Sequence, residues 1–317
     1  MKSLPADLLT HILEPLQNDW KSLKNCLFVS RFWYRTSSRI FWRNPFAILL
    51  KIDSSNNNQN RRKESLILTY TMCLLPEEKS ALIKILFPFK DHVILRQLII
   101  CINRRDLSHP TLRYERYLET LNDTSLFSAI KSTFEPLNRR GKSTACEEIQ
   151  TFQIFIKMFI NRATNFRQIG LETIFTKNPL FISMADDIIQ TISRYQKKIY
   201  SISLLFKPLL HNHYIPNPPD NNSCTTINLD MIITLIKSQR NLENFWIESA
   251  RDEDLTKVLF ALRQHSNTLQ TLVFTKCSFS RRVPSDYFET FVNLRELVFS
   301  KSDGVERSWL VCVSPET

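Results

Sequence analysis

From residue 149 onward, apolar positions alternate between two periods in a fixed order. A stretch with helical spacing is followed each time by a short stretch with strand spacing. Ile149 to Ile160 precedes Phe166-x-x-Ile169-x-Leu171, and Phe181 to Tyr195 precedes Ile199-x-x-Ile202-x-Leu204. Leu229 to Ile236 precedes Leu242-x-x-Phe245-x-Ile247, and Leu255 to Leu262 precedes Leu269-x-x-Leu272-x-Phe274. Tyr287 to Phe291 precedes Leu294-x-x-Leu297-x-Phe299. The last three strand patterns start 27 and 25 residues apart, inside the window of short helix–strand repeats. The earlier spacings are 33 and 43 residues, the longer one containing the loop-forming run Pro216 to Asn222.

Alternate side chains of a strand point to opposite faces. If Leu272 and Phe274 face the core, then Phe245, Ile247, Leu297 and Phe299 are buried in the same register. Ser203, Trp246, Val273 and Val298 then form a ladder on the open face, flanked by Glu248, Thr275 and Ser300. A tryptophan between valines on such a face is a natural binding anchor. The segment Val305 to Val313 carries no polar capping repeat, so it either closes the array with a strand or leaves it shorter than its relatives.

The first 46 residues have a different pattern. Leu8, Leu9, Ile12, Leu13 and Leu16 cover more than one side of a short helix, with Pro5 suited to its first turn. Leu23, Cys26, Leu27 and Val29 add a second apolar set, and Trp33 and Trp42 follow. A module this small cannot bury all of that surface internally, and the surplus points to a partner. Between the two regions, Ser54 to Asn60 reads as an Asn-rich loop. Leu66 to Leu75 and Ala81 to Phe87 read as helices, the latter opened by Pro76-Glu77-Glu78. Leu95-x-x-Leu98-x-Ile100-x-x-Asn103 has strand-and-turn character.

Three elements of the N-terminal module, in order, resemble an F-box. They are Leu4-Pro5-Ala6-Asp7-Leu8-Leu9-Thr10-His11-Ile12, Val29-Ser30-Arg31-Phe32-Trp33 and Phe41-Trp42-Arg43. Pro15 interrupts the first helix late, and Trp20 stands where an Asp-Leu pair often follows in that family. Leu269 to Cys277 resembles the leucine-rich repeat throughout, including Cys in place of Asn at the turn. Together the resemblances imply an α/β chain: a helical F-box over 1–46, a mainly helical linker over 47–147, and a leucine-rich-repeat-like solenoid with a curved parallel sheet over 148–317. They imply docking to a Skp-type adaptor, and through it to a cullin-RING ubiquitin ligase. By resemblance the docking anchors are Leu4, Pro5, Leu8, Ile12, Leu16, Val29, Trp33 and Trp42. The repeats would hold a protein substrate, and ubiquitin transfer would fall to other subunits.

Composition narrows the alternatives. A formal charge of +11 raises a second reading, a basic repeat scaffold for nucleic acid or an acidic protein. Its Lys and Arg residues come in small groups such as Arg61-Arg62-Lys63 and Arg281-Arg282, outside any nucleic-acid module, so nucleic acid is not expected. Arg61 to Lys63 is a weak candidate for nuclear import. With three glycines, the chain lacks every phosphate-cradling loop and the Gly-x-Ser-x-Gly elbow. The seven dispersed cysteines read as reduced thiols of an intracellular protein. No secretory signal or membrane span is expected, which places the protein in the cytoplasm, the nucleus or both. His211 and His213 lack metal-ligand neighbours, and Asp186-Asp187 and Glu147-Glu148 read as solvated or capping charges. No catalytic residue, metal or cofactor is expected; the chain reads as a non-catalytic receptor.

Overall fold

The computed structural model describes residues 5–46, 57–89, 96, 99–100, 102, 113–138, 144–174, 179–206, 229–250, 252–279 and 287–305. It is α/β, with helices and a six-stranded sheet. Two compact units divide the chain: residues 1–121 with 125–166, and residues 122–124 with 167–317.

The first unit opens with α1 (Ala6–Leu13), a 3-10 turn (Glu14–Asn18), α2 (Trp20–Cys26) and α3 (Arg31–Phe41). Pro5 stands one residue earlier than the first-turn reading, at the N-cap of α1. Pro15 falls in the opening positions of the 3-10 turn, where its missing amide costs least, and so ends α1 at Leu13. Asp19 caps α2 by accepting the Ser22 amide at 3.2 Å. Ser30 caps α3 by accepting the Trp33 amide at 3.3 Å.

Four further helices follow: α4 (Asn57–Cys73), α5 (Pro76–Leu86), α6 (Asp123–Asn138) and α7 (Ala145–Arg162). The start of α4 corrects the Asn-rich loop, because residues 57–60 form its first turn while 54–56 lie outside the described residues. Asparagine is tolerated in a first turn, whose amides have no intrahelical partners, and Asn60 gains a tertiary bond to Glu135 at 3.2 Å. A second correction concerns Leu95 to Asn103: the described residues Arg96, Ile99, Ile100 and Ile102 are helical. So short an apolar run fits either period, and tertiary context decides. Pro76 opens α5 as expected, with Glu78 accepting the Leu75 amide at 2.8 Å.

Tyr70 is the aromatic hub of this unit, meeting Trp42, Phe46 and Phe159 with ring centroids 5.4, 6.1 and 4.6 Å away. Arg162 on α7 donates to the Cys73 carbonyl at 2.7 Å and pairs with Glu78. Burial, reinforced by the neighbouring Glu115 carboxylate, pushes the Cys73 thiol up to about 12, so it behaves as a small hydrophobe.

The sheet order is β1 (Thr120–Asn122), β2 (Gln168–Leu171), β3 (Ser201–Leu205), β4 (Asn244–Glu248), β5 (Thr271–Thr275) and β6 (Glu296–Ser300), with β2 to β6 in the second unit. Strands β2 to β6 are parallel neighbours in sequence order. The connections are α8 (Pro179–Tyr195), α9 (Leu229–Ser238), α10 (Asp252–Leu262) and a 3-10 turn (Tyr287–Thr290). All five helix-then-strand patterns of the sequence are therefore present, the last with a 3-10 turn in place of a helix. The strand β1 was not foreseen, since Thr120-Leu121-Asn122 is too short to show a period.

Ile202, Phe245 and Leu272 form one buried row, and Leu204, Ile247 and Phe274 the next. Leu297 and Phe299 depart from expectation: both are half-buried, because β6 is the last strand in the sheet order and has a described neighbour on one flank only. Phe299 still stacks on Phe274 at 5.4 Å.

Each of the last three strands ends in a left-handed residue, Ser249, Lys276 and Lys301, with φ of 61°, 52° and 53°. These positions carry the ladder onward: the Ser249 amide donates to the Thr275 carbonyl and the Lys276 amide to the Ser300 carbonyl, both at 2.8 Å. A side chain in this region is strained relative to glycine. Lys301→Gly is expected to stabilise the second unit by about 0.5–1 kcal/mol, read as a rise in the midpoint of thermal unfolding. An unchanged or lower midpoint would show that the left-handed turn carries no strain at this position.

Candidate docking module and repeat face

The structure separates the apolar residues of the N-terminal module into two sets that the sequence leaves mixed. Leu9, Leu13, Leu23 and Ile40 form a closed core where α1 and α2 pack on α3, with Leu16, Cys26, Trp33 and Phe41 packed against it. Leu8 and Ile12 lie one helical turn apart on the outer side of α1, 48% and 51% exposed. Phe28 and Val29, in the turn between α2 and α3, are 78% and 61% exposed. Phe32, in the first turn of α3, is also exposed.

Of the docking anchors implied by resemblance, Leu8, Ile12 and Val29 are therefore open, as is Pro5. Leu16 and Trp33 support the module's own core. Trp42 is half-buried and committed to the interior of the first unit, with ring centroids 5.4 Å from Tyr70 and 4.6 Å from Tyr114. Leu4 lies outside the described residues. Phe28 was missed, although Ser30 was a readable capping residue and those preceding a cap sit in an exposed turn; Phe32, inside the first turn of α3, was missed too and carries no such signal.

The module is also continuous with the rest of its unit. The Glu119 and Thr120 amides donate to the Arg43 carbonyl at 2.9 and 3.1 Å, and Tyr34 and Tyr114 share a hydroxyl bond of 2.9 Å. The Arg62 guanidinium lies over the Trp20 ring, 5.0 Å from its centroid. Trp20 therefore has a role within the unit, holding α4. Within the weak nuclear-import segment, Arg62 makes this contact and Lys63 donates to Ser128 at 3.0 Å, all on one helix.

On the open side of the sheet, the registers align the expected ladder residue by residue. Ser203 pairs with Trp246, Trp246 with Val273, and Val273 with Val298; the flanking row runs Glu248, Thr275, Ser300. All seven side chains are half-buried. Gly170 continues the row beside Ser203. Lys276 pairs with Glu248 at 2.7 Å, so that carboxylate is partly neutralised. No strand of the sheet contains Lys or Arg.

Asp123 is a residue the sequence reading missed. Fully buried at the start of α6, its carboxylate accepts the amides of Glu172, Thr173 and Ile174 at 2.9, 2.8 and 3.1 Å. Burial pushes its pKa up to about 6, against the opposing pull of those hydrogen bonds. An acidic residue just before an apolar helical pattern was the available signal. Glu148 departs from the solvated or capping charge expected: it is buried and accepts the Thr144 hydroxyl at 2.7 Å.

His211 and His213 lie outside the described residues; among those described, no three His, Cys, Asp or Glu side chains cluster as metal ligands. Among the described residues, no helix is long and apolar enough to cross a membrane. No protein-family model matches the chain, and no curated protein matches its sequence.

Proposed function

We propose that this protein is the substrate-recognition subunit of an SCF-type ubiquitin ligase. Its N-terminal module, read as an F-box, docks a Skp-type adaptor, and its parallel sheet, read as a leucine-rich-repeat array, holds a protein substrate. The observation that carries this reading is the open apolar set Leu8, Ile12, Phe28 and Val29 on a module whose core is already closed. A surface of this kind is covered by a partner in a stable assembly. The chain performs no chemistry itself in this role; it raises the effective concentration of substrate beside a charged ubiquitin-conjugating enzyme. The role places it in the cytoplasm or the nucleus.

The competing reading, a basic scaffold for nucleic acid, gains nothing from the open sheet face, where the strands supply Glu248 and Glu296 and no cation. Phosphate backbones are bound by Lys and Arg.

Co-expression of the full-length chain with a Skp-type adaptor is expected to yield a complex that persists through gel filtration. Absence of binding at micromolar concentrations removes the ligase role. Truncating residues 1–46 is a poor substitute, because Phe46 and Trp42 belong to the interior of the first unit. Trp246→Ala is expected to reduce capture of the natural substrate about tenfold or more at unchanged adaptor binding, measured by quantitative co-precipitation. Full retention of substrate would take Trp246 out of the binding face.

A further inference from the structure

The second unit has as many acidic as basic residues, yet several of its exposed cations gather on one rim of the sheet. Each strand is entered through a loop that stacks on the equivalent loop of the next repeat. The Tyr200 amide donates to the Arg167 carbonyl at 2.8 Å, the Arg240 amide to the Lys197 carbonyl at 3.1 Å, and the Arg295 amide to the Gln270 carbonyl at 2.8 Å. Side-chain amides lock the same loops: Gln239 donates to the Gln196 carbonyl at 3.1 Å and Asn293 to the Asn267 carbonyl at 2.6 Å. This stacking lines up Arg167, Lys198, Arg240, Arg263 and Arg295, all exposed, along the edge where the strands begin. Glu243 and Glu289 are the acidic residues of these loops. The opposite edge is mixed, with Glu248 paired to Lys276 and Lys301 near Asp303 in sequence.

Helix dipoles explain part of this pattern. Arg194, Lys237 and Arg263 stand at or just beyond helix C-termini, where cations are favoured. Arg167, Lys198, Arg240 and Arg295 stand beyond that influence, in the connecting loops. Neighbouring loops bonded backbone to backbone bring exposed like charges such as Lys198 and Arg240 onto one edge, where an anionic ligand offsets them.

We infer that this rim binds an acidic segment of a protein partner. A polypeptide is favoured over nucleic acid because the adjoining face offers the apolar side chains Trp246, Val273 and Val298, which apolar residues flanking an acidic segment cover. Glu243 and Trp246 are three residues apart, about 10 Å along the strand, so one short segment can reach both rim and ladder. The inference rests on the proposed substrate-holding role of the sheet and is independent of adaptor docking.

The test uses the full-length chain and two labelled probes, a decaglutamate peptide and a 20-nucleotide single-stranded RNA, read by fluorescence anisotropy. Decaglutamate is expected to bind, to weaken steeply with added salt, and to lose about tenfold or more in affinity in Arg167→Glu/Arg240→Glu/Arg295→Glu. The exposed control set Lys84→Glu/Lys131→Glu/Lys257→Glu makes the same change in net charge elsewhere and is expected to leave binding within about twofold. No decaglutamate binding, or equal losses in the two sets, overturns the rim as a site. RNA binding through the same arginines without peptide binding overturns the choice of partner. Should the triple variant fail to fold, Arg240→Glu alone is the readout, with a loss of at least about threefold expected. Adaptor capture by these variants remains at the wild-type level if the N-terminal role holds, so failure of either proposal is seen separately.

Discussion

A chain carrying Leu8→Asp and Ile12→Asp is expected to lose Skp-adaptor capture by about 100-fold or more while unfolding within a degree or two of the wild type. The two side chains sit at i and i+4 on α1 with about half of each surface open. Covering the open half of each contributes about 1 kcal/mol, and a carboxylate forced into the same apolar contact adds a desolvation penalty of a few kcal/mol. Their exposure means that the folded module loses little by the change. Leu9 and Leu13, the neighbouring residues on the same helix, are buried, and Leu9→Ala or Leu13→Ala is expected to destabilise the unit by about 2–4 kcal/mol. Those variants weaken capture only by unfolding, so cooling or lower denaturant restores it. The comparison is made by isothermal titration with purified adaptor beside thermal unfolding. Undiminished binding by the Leu8/Ile12 double variant would show that this side of α1 is not the docking face.

Asp123→Ala is expected to destabilise the second unit by about 3–5 kcal/mol, because it leaves three buried amides without an acceptor. Asp123 also makes stability depend on pH in a defined direction. Its folded-state pKa, about 6, lies above the ordinary value of 3.8, so the folded state holds this proton more tightly than the unfolded chain. The resulting contribution is fully present below about pH 4 and is lost as pH rises toward 6, at most roughly 3 kcal/mol for a two-unit shift. Asp123→Asn keeps one acceptor and the shape, and removes the titration. Urea unfolding of wild type and Asp123→Asn from pH 4 to 7 isolates this group, since the other carboxylates are common to both. A difference between the two that stays flat across that range would show that Asp123 does not titrate there.

Legibility followed the number of residues that repeat a pattern. Four of the five repeat helices and all five foreseen strands were readable because each buries residues at a regular period, and that period alone sets Trp246 beside Val273. Where the pattern was short or ambiguous, the reading failed. Thr120 to Asn122 became a strand through its neighbours, Asn57 to Asn60 joined a helix that Glu135 helps to hold, and the described part of Leu95 to Asn103 turned helical. Asp123 could be recognised as a capping type, but its three acceptor bonds reach about fifty residues along the chain. Loop-mediated bonds over that distance leave no periodic trace.

The sequence by itself determined the alternation of helix and strand, the face that each strand presents, and the surplus of apolar residues at the N-terminus. These are local consequences of side-chain period and burial. Tertiary structure decided which of those N-terminal residues are spare. Leu8 and Leu9 are adjacent and chemically identical, and they differ only in that α3 packs over one and leaves the other open. It also decided that Trp42 belongs to the interior, where Tyr70 and Tyr114 enclose it, and that scattered cations of separate repeats share one rim. Each outcome depends on which distant segments meet, and packing and ladder hydrogen bonds set those meetings where periodicity cannot.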